Sequence, residues 1–410
     1  MWFVCTKHER SALMKESTTL AVARQLEKQD SQKPLELRVK VRTLRKCPRC
    51  GHQGLHRHQL MPRRRVLHMF VAGRWVYLSW TPIRFRCPEC GKTVTCGAEG
   101  VRRWARLSDE AVETLVRYSR RMNYGSVAEL LELERQRVRR VLMKRVGTQI
   151  LPEIGEPVVL TLDELSFRQQ DYMCAVGELA PTKRILTLLE NDLGRTIEGY
   201  LRALKNSGVI VEAFVIDMKD AWRKLVKRVF PEAKVIVDPF HVIQDANRRV
   251  DQARLIEQEA SGYSISKYVL VKPKEKLTPK QAKELEWVRR KFPALHEIHL
   301  LKEDLRKVVR LQNESEVRQE LSRWLINADS AANAEGRVWA NTVRNWREEL
   351  QNLAYYTGQG RRYTNGYIEG KITLVKMVKR LGFGFRNRES FLKKAFVGCC
   401  PKEQIPQLLT

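Results

Sequence analysis

Two copies of one short pattern constrain the N-terminal part of this chain more than any other feature. They are Cys47-Pro48-Arg49-Cys50-Gly51 and Cys87-Pro88-Glu89-Cys90-Gly91. A two-residue gap lets one tight turn aim two sulfurs at one ion. The glycine that follows permits the backbone twist that brings amide N–H groups toward those sulfurs. Together Cys47, Cys50, Cys87 and Cys90 make a full tetrahedral set for structural Zn2+. The segment between them holds residues 65–77, which read as hairpin strands around Gly73, so a zinc ribbon is expected. A closed four-sulfur site performs no chemistry; it folds a small module with little core. His52, His56 and His58 read better as surface or nucleic-acid contacts than as ligands, and Cys96 as a bystander. Cys5, Cys174, Cys399 and Cys400 have no partner at useful spacing, and Cys174 is expected to pack within a strand.

Charge narrows the partners. Among 410 residues, Lys plus Arg number 76 against 47 Asp plus Glu, a formal net charge of +29. At 43% hydrophobic, the chain is too apolar for a disordered basic tail. A surplus this large repels itself in a compact state and fits a polyanionic partner, nucleic acid first. No segment approaches the roughly 18 consecutive apolar residues of a membrane span. Residues 68–80 come nearest, and Gly73 and Arg74 interrupt them. Residues 1–10 lack a basic-then-apolar leader, so a cytoplasmic protein with reduced cysteines and no membrane association is expected.

A helix-turn-helix is expected next. Ser108 reads as an N-cap with Asp109 and Glu110 in the first turn, and Val112, Leu115, Val116 and Met122 form an apolar stripe. Ser126-Val127-Ala128-Glu129 matches a capping box, with Ala128, Leu130 and Leu131 inward. A third helix from about Arg135 places Val138, Val141, Leu142 and Val146 inside. Its outer face carries Arg135, Gln136, Arg137, Arg139, Arg140, Lys144 and Arg145. Such a helix can lie in the major groove, where Arg and Gln read base edges and Lys and Arg hold phosphates. The turn at 132–134 lacks the usual glycine.

From Pro157 the pattern changes. Strands are expected at 158–167, 172–179, 184–190, 211–217 and 234–237, with helices at about 196–205 and 219–229. The order β-β-β-α-β-α-β matches a ribonuclease-H-like fold. Asp163 sits inside an apolar strand and Asp217 ends another. An ionised carboxylate in either place is costly unless something positive pairs with it. In this topology the two strands are neighbours, so the aspartates would meet at one sheet end and suit Mg2+. Glu164 and Asp220 are rival carboxylates. Residues 241–355 read as a helical insertion with core tryptophans at 287, 324, 339 and 346. Beyond it, Asn365 could cap a helix to about Arg380 that carries Glu369 in its first turn, with Lys371 and Lys376 further along.

Taken together, these pieces resemble a DDE transposase of a bacterial insertion sequence, of the ISL-three family. The matching pieces are the cysteine pair, the helix-turn-helix, Leu162-Asp163-Glu164-Leu165-Ser166-Phe167-Arg168, Ile216-Asp217-Met218, Asp238-Pro239-Phe240-His241-Val242, Asn365-Gly366-Tyr367-Ile368-Glu369-Gly370 and Gly384-Phe385-Arg386-Asn387. They run from about Cys47 to Phe391. Family members often have Gly-His where this chain has Gln170-Asp171. The resemblance implies a catalytic triad of Asp163, Asp217 and Glu369 holding Mg2+ (or Mn2+), with His241 near the active site. Three carboxylates can hold two such ions, which activate a water or a 3′-hydroxyl and stabilise the leaving oxygen.

The expectation is a multidomain α+β protein. A zinc ribbon (residues 1–100) and a helix-turn-helix (101–150) precede a ribonuclease-H-like core (151–250 and 356–410) interrupted by a helical insertion (251–355). It would bind the terminal inverted repeats of its element and target DNA, cleave and join strands, and act as a dimer or larger assembly in the bacterial nucleoid. Lys371, Lys376 and Arg386 are further DNA-contact candidates. The alternatives are a non-catalytic DNA-binding regulator derived from a transposase and a structure-selective nuclease of the same fold.

Overall fold

The computed structural model describes residues 35–39, 41, 44–71 and 73–409. Cys5 and the rest of residues 1–34 lie outside the described residues. The chain falls into two compact units, residues 1–148 with 377–410, and residues 149–376.

The first unit begins with β1 (Leu35–Arg38), β2 (His56–Leu60), β3 (Arg64–Val71), β4 (Arg74–Trp80), β5 (Ile83–Arg86) and β6 (Thr93–Cys96). β3 and β4 form the expected hairpin about Gly73, whose φ is +74°. This hairpin is not part of the ribbon, however. It pairs with β1 in the order β1-β4-β3, while the cysteine turns belong with a separate sheet, β2-β5-β6. The hairpin has an apolar face of its own, with Val66, Val76, Leu78 and Trp80 buried. That face needs an apolar partner, which Leu35 and Leu37 of β1 supply and the wholly exposed β2 cannot.

Three helices follow: α1 (Asp109–Ser119), α2 (Tyr124–Leu130) and α3 (Arg135–Arg145). Ser108 caps α1 as expected, accepting from the Ala111 N–H at 3.2 Å. α2 starts two residues before the expected capping box. Asn123, as good a cap as serine, accepts from the Ser126 N–H at 2.9 Å. The earlier start buries Tyr124 and Val127 and turns Leu130 to solvent. Glu132, in the turn, takes φ +49°, a conformation that glycine adopts at less cost. On α3, Val138 and Leu142 are buried. Two C-terminal helices, Arg388–Cys399 and Ile405–Leu408, complete the unit against α1 and α3. Lys394, almost fully buried, donates to the Ser119 and Met122 carbonyls, and burial pulls its ammonium down to about 7.

The second unit holds β7 (Val158–Arg168), β8 (Asp171–Ala180), β9 (Arg184–Leu189), α4 (Gly194–Asn206), β10 (Val211–Ile216), α5 (Asp220–Val229) and β11 (Lys234–Val237). The sheet order is β11-β10-β7-β8-β9. β10 lies parallel between β7 and β11, and β8 and β9 extend the sheet antiparallel. The near-continuous burial of β7, β9 and β10 is what a sheet covered on both faces requires. Cys174 is fully buried on β8 as expected. Helices then run as α6 (Pro239–Ser261), α7 (Lys267–Val271), α8 (Pro279–Lys291), α9 (Pro293–Val308), α10 (Glu314–Asp329), α11 (Ala334–Asn345), α12 (Arg347–Gly358) and α13 (Gly366–Leu381), the last five residues of α13 being counted with the first unit. Trp324, Trp339 and Trp346 are core residues, and the first two meet edge to face at 4.9 Å; Trp287 packs half-buried.

Candidate active site and metal centre

The sheet register builds the acidic site. Thr161 pairs with Val215, and Ile216 pairs with Val237. Following the register by one or two residues brings Asp163, midway along β7, level with Asp217 and Asp238, which directly follow β10 and β11. Asp163 is 8% exposed and accepts a hydrogen bond from the Glu164 N–H at 2.7 Å. Asp217 follows β10, and Asp238, almost wholly buried, precedes α6.

His241 lies one turn into α6. Its Nδ1 stands 3.0 Å from Asp217 Oδ1 and 2.9 Å from Asp238 Oδ2. Burial opposes its charge, yet these two carboxylates raise its pKa to about 10, so the ring is a cation at neutral pH. Glu369 arrives from the first turn of α13. The preceding Ile368 is fully buried, and a Cβ added at Gly177 of β8 would stand 3.0 Å from its side chain. Glycine at 177 therefore lets α13 lie close on the sheet.

Asn365, just before α13 and fully buried, ties these parts together. Its backbone N–H donates to Asp238 Oδ1 at 3.1 Å, and its Nδ2 donates to Asp217 Oδ1 at 2.8 Å. Its Oδ1 accepts from the Thr161 hydroxyl at 2.6 Å. The expectation gave Asn365 a capping role only; the side chain bridges β7 and the β10 terminus. An Asn-Gly pair before a helix reads as a turn, and no sequence signal marks this bridge.

Burial raises the Asp163 pKa to about 7, helped by the charges of Asp217 and Glu369. Burial, with Asp238 and Asp217, also raises that of Glu369. The expected trio thus shares one electrostatic environment. The tightest group differs, however: Asp217, Asp238 and His241 have ligand atoms within 4.8 Å of one another. The rival carboxylates are engaged elsewhere, Glu164 with Lys219, and Asp220 with Arg223 and Lys224.

The four cysteines form a second such group. Cys47 and Cys90 sulfurs lie 3.7 Å apart, and Cys50 and Cys87 sulfurs 3.6 Å apart. The two turns match: Gly51 N–H donates to the Cys47 carbonyl and Gly91 N–H to that of Cys87, with φ +76° and +65°. The backbone amides of Cys50 and Arg49 hold the Cys47 thiol down at about 6. Cys50 receives similar help from the His52 amide. Desolvation and the sulfurs of Cys87, Cys47 and Cys90 nevertheless push it up to about 12. Sulfurs this crowded are held far better by a divalent cation than as four free thiols.

The sequence profile of a family described as a transposase, of the ISL-three group, matches residues 160–395, more than half of the chain. The chain belongs to the ISL-three family of insertion-sequence transposases. A transposase for insertion sequence element IS1001 of Bordetella parapertussis is 21% identical, over 85% of this chain and 87% of that protein. A transposase for element IS1557 of Mycobacterium tuberculosis is 23% identical, over 88% and 87% respectively. The solved Drosophila P element transposase strand transfer complex is similar at 13% identity and a TM-score of 0.44, over 74% of this chain and 94% of that one.

In this transposase the α3 candidates differ in exposure. Arg135, Gln136, Arg139, Arg140 and Lys144 are exposed, and Arg137 is half-buried. Arg145 is not part of that face; it pairs with Asp109 at 2.6 Å. Lys376 and Arg386 are exposed, and Lys371 lies over the Tyr367 ring. Among the described residues no helix is long and apolar enough to cross a membrane.

Proposed function

We propose that this transposase binds the terminal inverted repeats of its element and cuts and joins DNA at the Asp163, Asp217 and Glu369 carboxylates. The order of the second unit's strands, β11-β10-β7-β8-β9 with β7 central, supports a ribonuclease-H-like core. The α1–α3 succession, with its exposed basic third helix, supports a helix-turn-helix. The observation that carries the reading is the convergence of acids from β7, β10, β11 and α13, two of them raised in pKa by burial and then by their neighbours' charge.

Carboxylate oxygens in this number suit Mg2+ or Mn2+, and Asp163, Asp217 and Glu369 would hold it. When bound, the metal supplies activation of a hydroxyl nucleophile and charge for the leaving oxygen. Asn365 and Thr161 fix the Asp217 carboxylate. Asp238 fixes His241 through Nδ1, leaving Nε2 as a hydrogen-bond donor toward a phosphate oxygen. No side-chain nucleophile is required, because water and then a DNA 3′-hydroxyl can attack in turn. The cysteine group would hold structural Zn2+.

The test is strand cleavage on end-containing duplex with Mg2+ or Mn2+. Asp163→Asn, Asp217→Asn and Glu369→Gln should each abolish cleavage while end binding survives in a gel-shift assay. Cleavage at the normal rate by any one of them removes that residue from the triad.

A further inference from the structure

Among the described residues other than glycine, Trp104, Glu132, Gln170 and Phe383 have positive φ. Phe383 combines φ +53° with 95% exposure of the residue, the highest value among the exposed large apolar residues described. Such a conformation persists only where the surroundings impose it, and such places cluster at ligand clamps.

The surroundings do impose it. Phe383 N–H donates to the Arg380 carbonyl and Gly384 N–H to that of Lys379, both at 3.0 Å, closing the end of α13. Beyond the turn, the Phe385 ring packs on Phe391, which is fully buried, with ring centroids 5.4 Å apart. A Cβ at Gly382 would come within 2.5 Å of the Phe385 ring, so only glycine permits that anchor. Of the two aromatics in Gly382-Phe383-Gly384-Phe385, one is half-buried against Phe391 and the other held out in water. Exposed Arg380 and Arg386 stand on either side in the sequence.

A planar apolar side chain on a fixed turn, flanked by cations, is matched to a polyanion with planar faces. We propose that Phe383 is a stacking wedge that enters a base step of duplex DNA, with Arg380 and Arg386 on the adjoining phosphates. The proposal rests on the reading that this transposase acts on the DNA of its element's ends. The gain from base–aromatic contact is set against the loss of base–base stacking, so the wedge changes DNA shape more than affinity.

The experiment uses the full chain, end duplexes carrying 2-aminopurine at successive positions, and Ca2+ in place of Mg2+ to hold the uncut complex. The wild type should raise fluorescence at one or two positions. Phe383→Ala and Phe383→Gly should lose that rise while binding weakens by less than about tenfold. Phe383→Trp should retain it. Phe383→Gly should also melt no lower than the wild type, since glycine adopts φ +53° freely, which separates a lost wedge from a lost fold. The wedge is overturned by an equal rise in Phe383→Ala, or by no rise at any position in a wild type that binds the duplex. An altered oligomeric state in Phe383→Ala with the rise intact also overturns it and assigns the ring to a protein contact. A wild type that binds no end duplex refutes the proposed function itself.

Discussion

Asp163 shows how far one side chain can couple the site to stability. Its pKa is raised to about 7 by burial and by the neighbouring carboxylates, so folding takes up a proton between the unfolded value near 4 and about 7. The folded state binds more protons than the unfolded state in that window. Stability from this group is therefore full below pH 4 and is lost as pH rises through 7. His241, raised to about 10, acts in the same direction between pH 6.5 and 10. In metal-free protein, Asp163→Asn should become progressively more stable than the wild type from pH 4.5 to 7. The gain should be at most about 1.4 kcal/mol per pH unit. Paired thermal melts across this range would measure it, and a pH-independent difference would mean that the carboxyl is not held protonated. Saturating Mg2+ should narrow the gap by stabilising the wild type more than the variant, because a neutral amide is a weaker ligand than a carboxylate.

At the scale of elements, the two cysteine turns carry the sharpest prediction. β2 is exposed throughout, and β5 and β6 offer only a few buried side chains, such as Phe85, Val94 and Cys96. A sheet this thin has little apolar area to oppose chain entropy, so the ion should hold it. Cys87→Ser, or chelation, should release one zinc per chain by colorimetric assay and open residues 44–60 and 83–96, but not the β3–β4 hairpin, to protease. Resistance without zinc would make the turns self-sufficient. The same scale shows what the sequence discloses. The turns themselves were legible, because ligand spacing is local chemistry. The strands of the second unit were legible too, because long apolar runs leave little choice. Asp163 and Asp217 stood out as charges in such runs. Sheet membership was not legible: whether the β3–β4 hairpin joins β2 or β1 depends on a partner 41 residues away in sequence. The α2 start was ambiguous between Asn123 and Ser126, both competent caps, and burial of Tyr124 decides it. Asn365 and Gly177 were illegible for a similar reason, since their work is done against residues far off in the chain.

For the whole molecule, charge is the property that matters most. Many acidic side chains are matched internally, such as Glu178 with Arg184 and Glu303 with Arg306. The excess of 29 positive charges remains to be balanced by a partner. Duplex DNA presents one negative charge per roughly 1.7 Å, and each phosphate neutralised releases counterions, so affinity should fall steeply with salt. If six to ten phosphates are contacted, binding should weaken by about a thousandfold to a hundred-thousandfold between 50 and 200 mM salt. The α3 residues divide by role within that total. Arg139→Gln and Arg140→Gln should each flatten the log–log salt slope by about 0.9 on any duplex, the signature of a phosphate contact. Gln136→Ala should leave the slope unchanged and narrow the preference for end DNA over random DNA, the signature of base reading. Anisotropy titrations of both duplexes at four salt concentrations measure slope and preference together. A slope unmoved by both arginine changes would put α3 off the DNA backbone and leave the charge surplus to be carried by other faces.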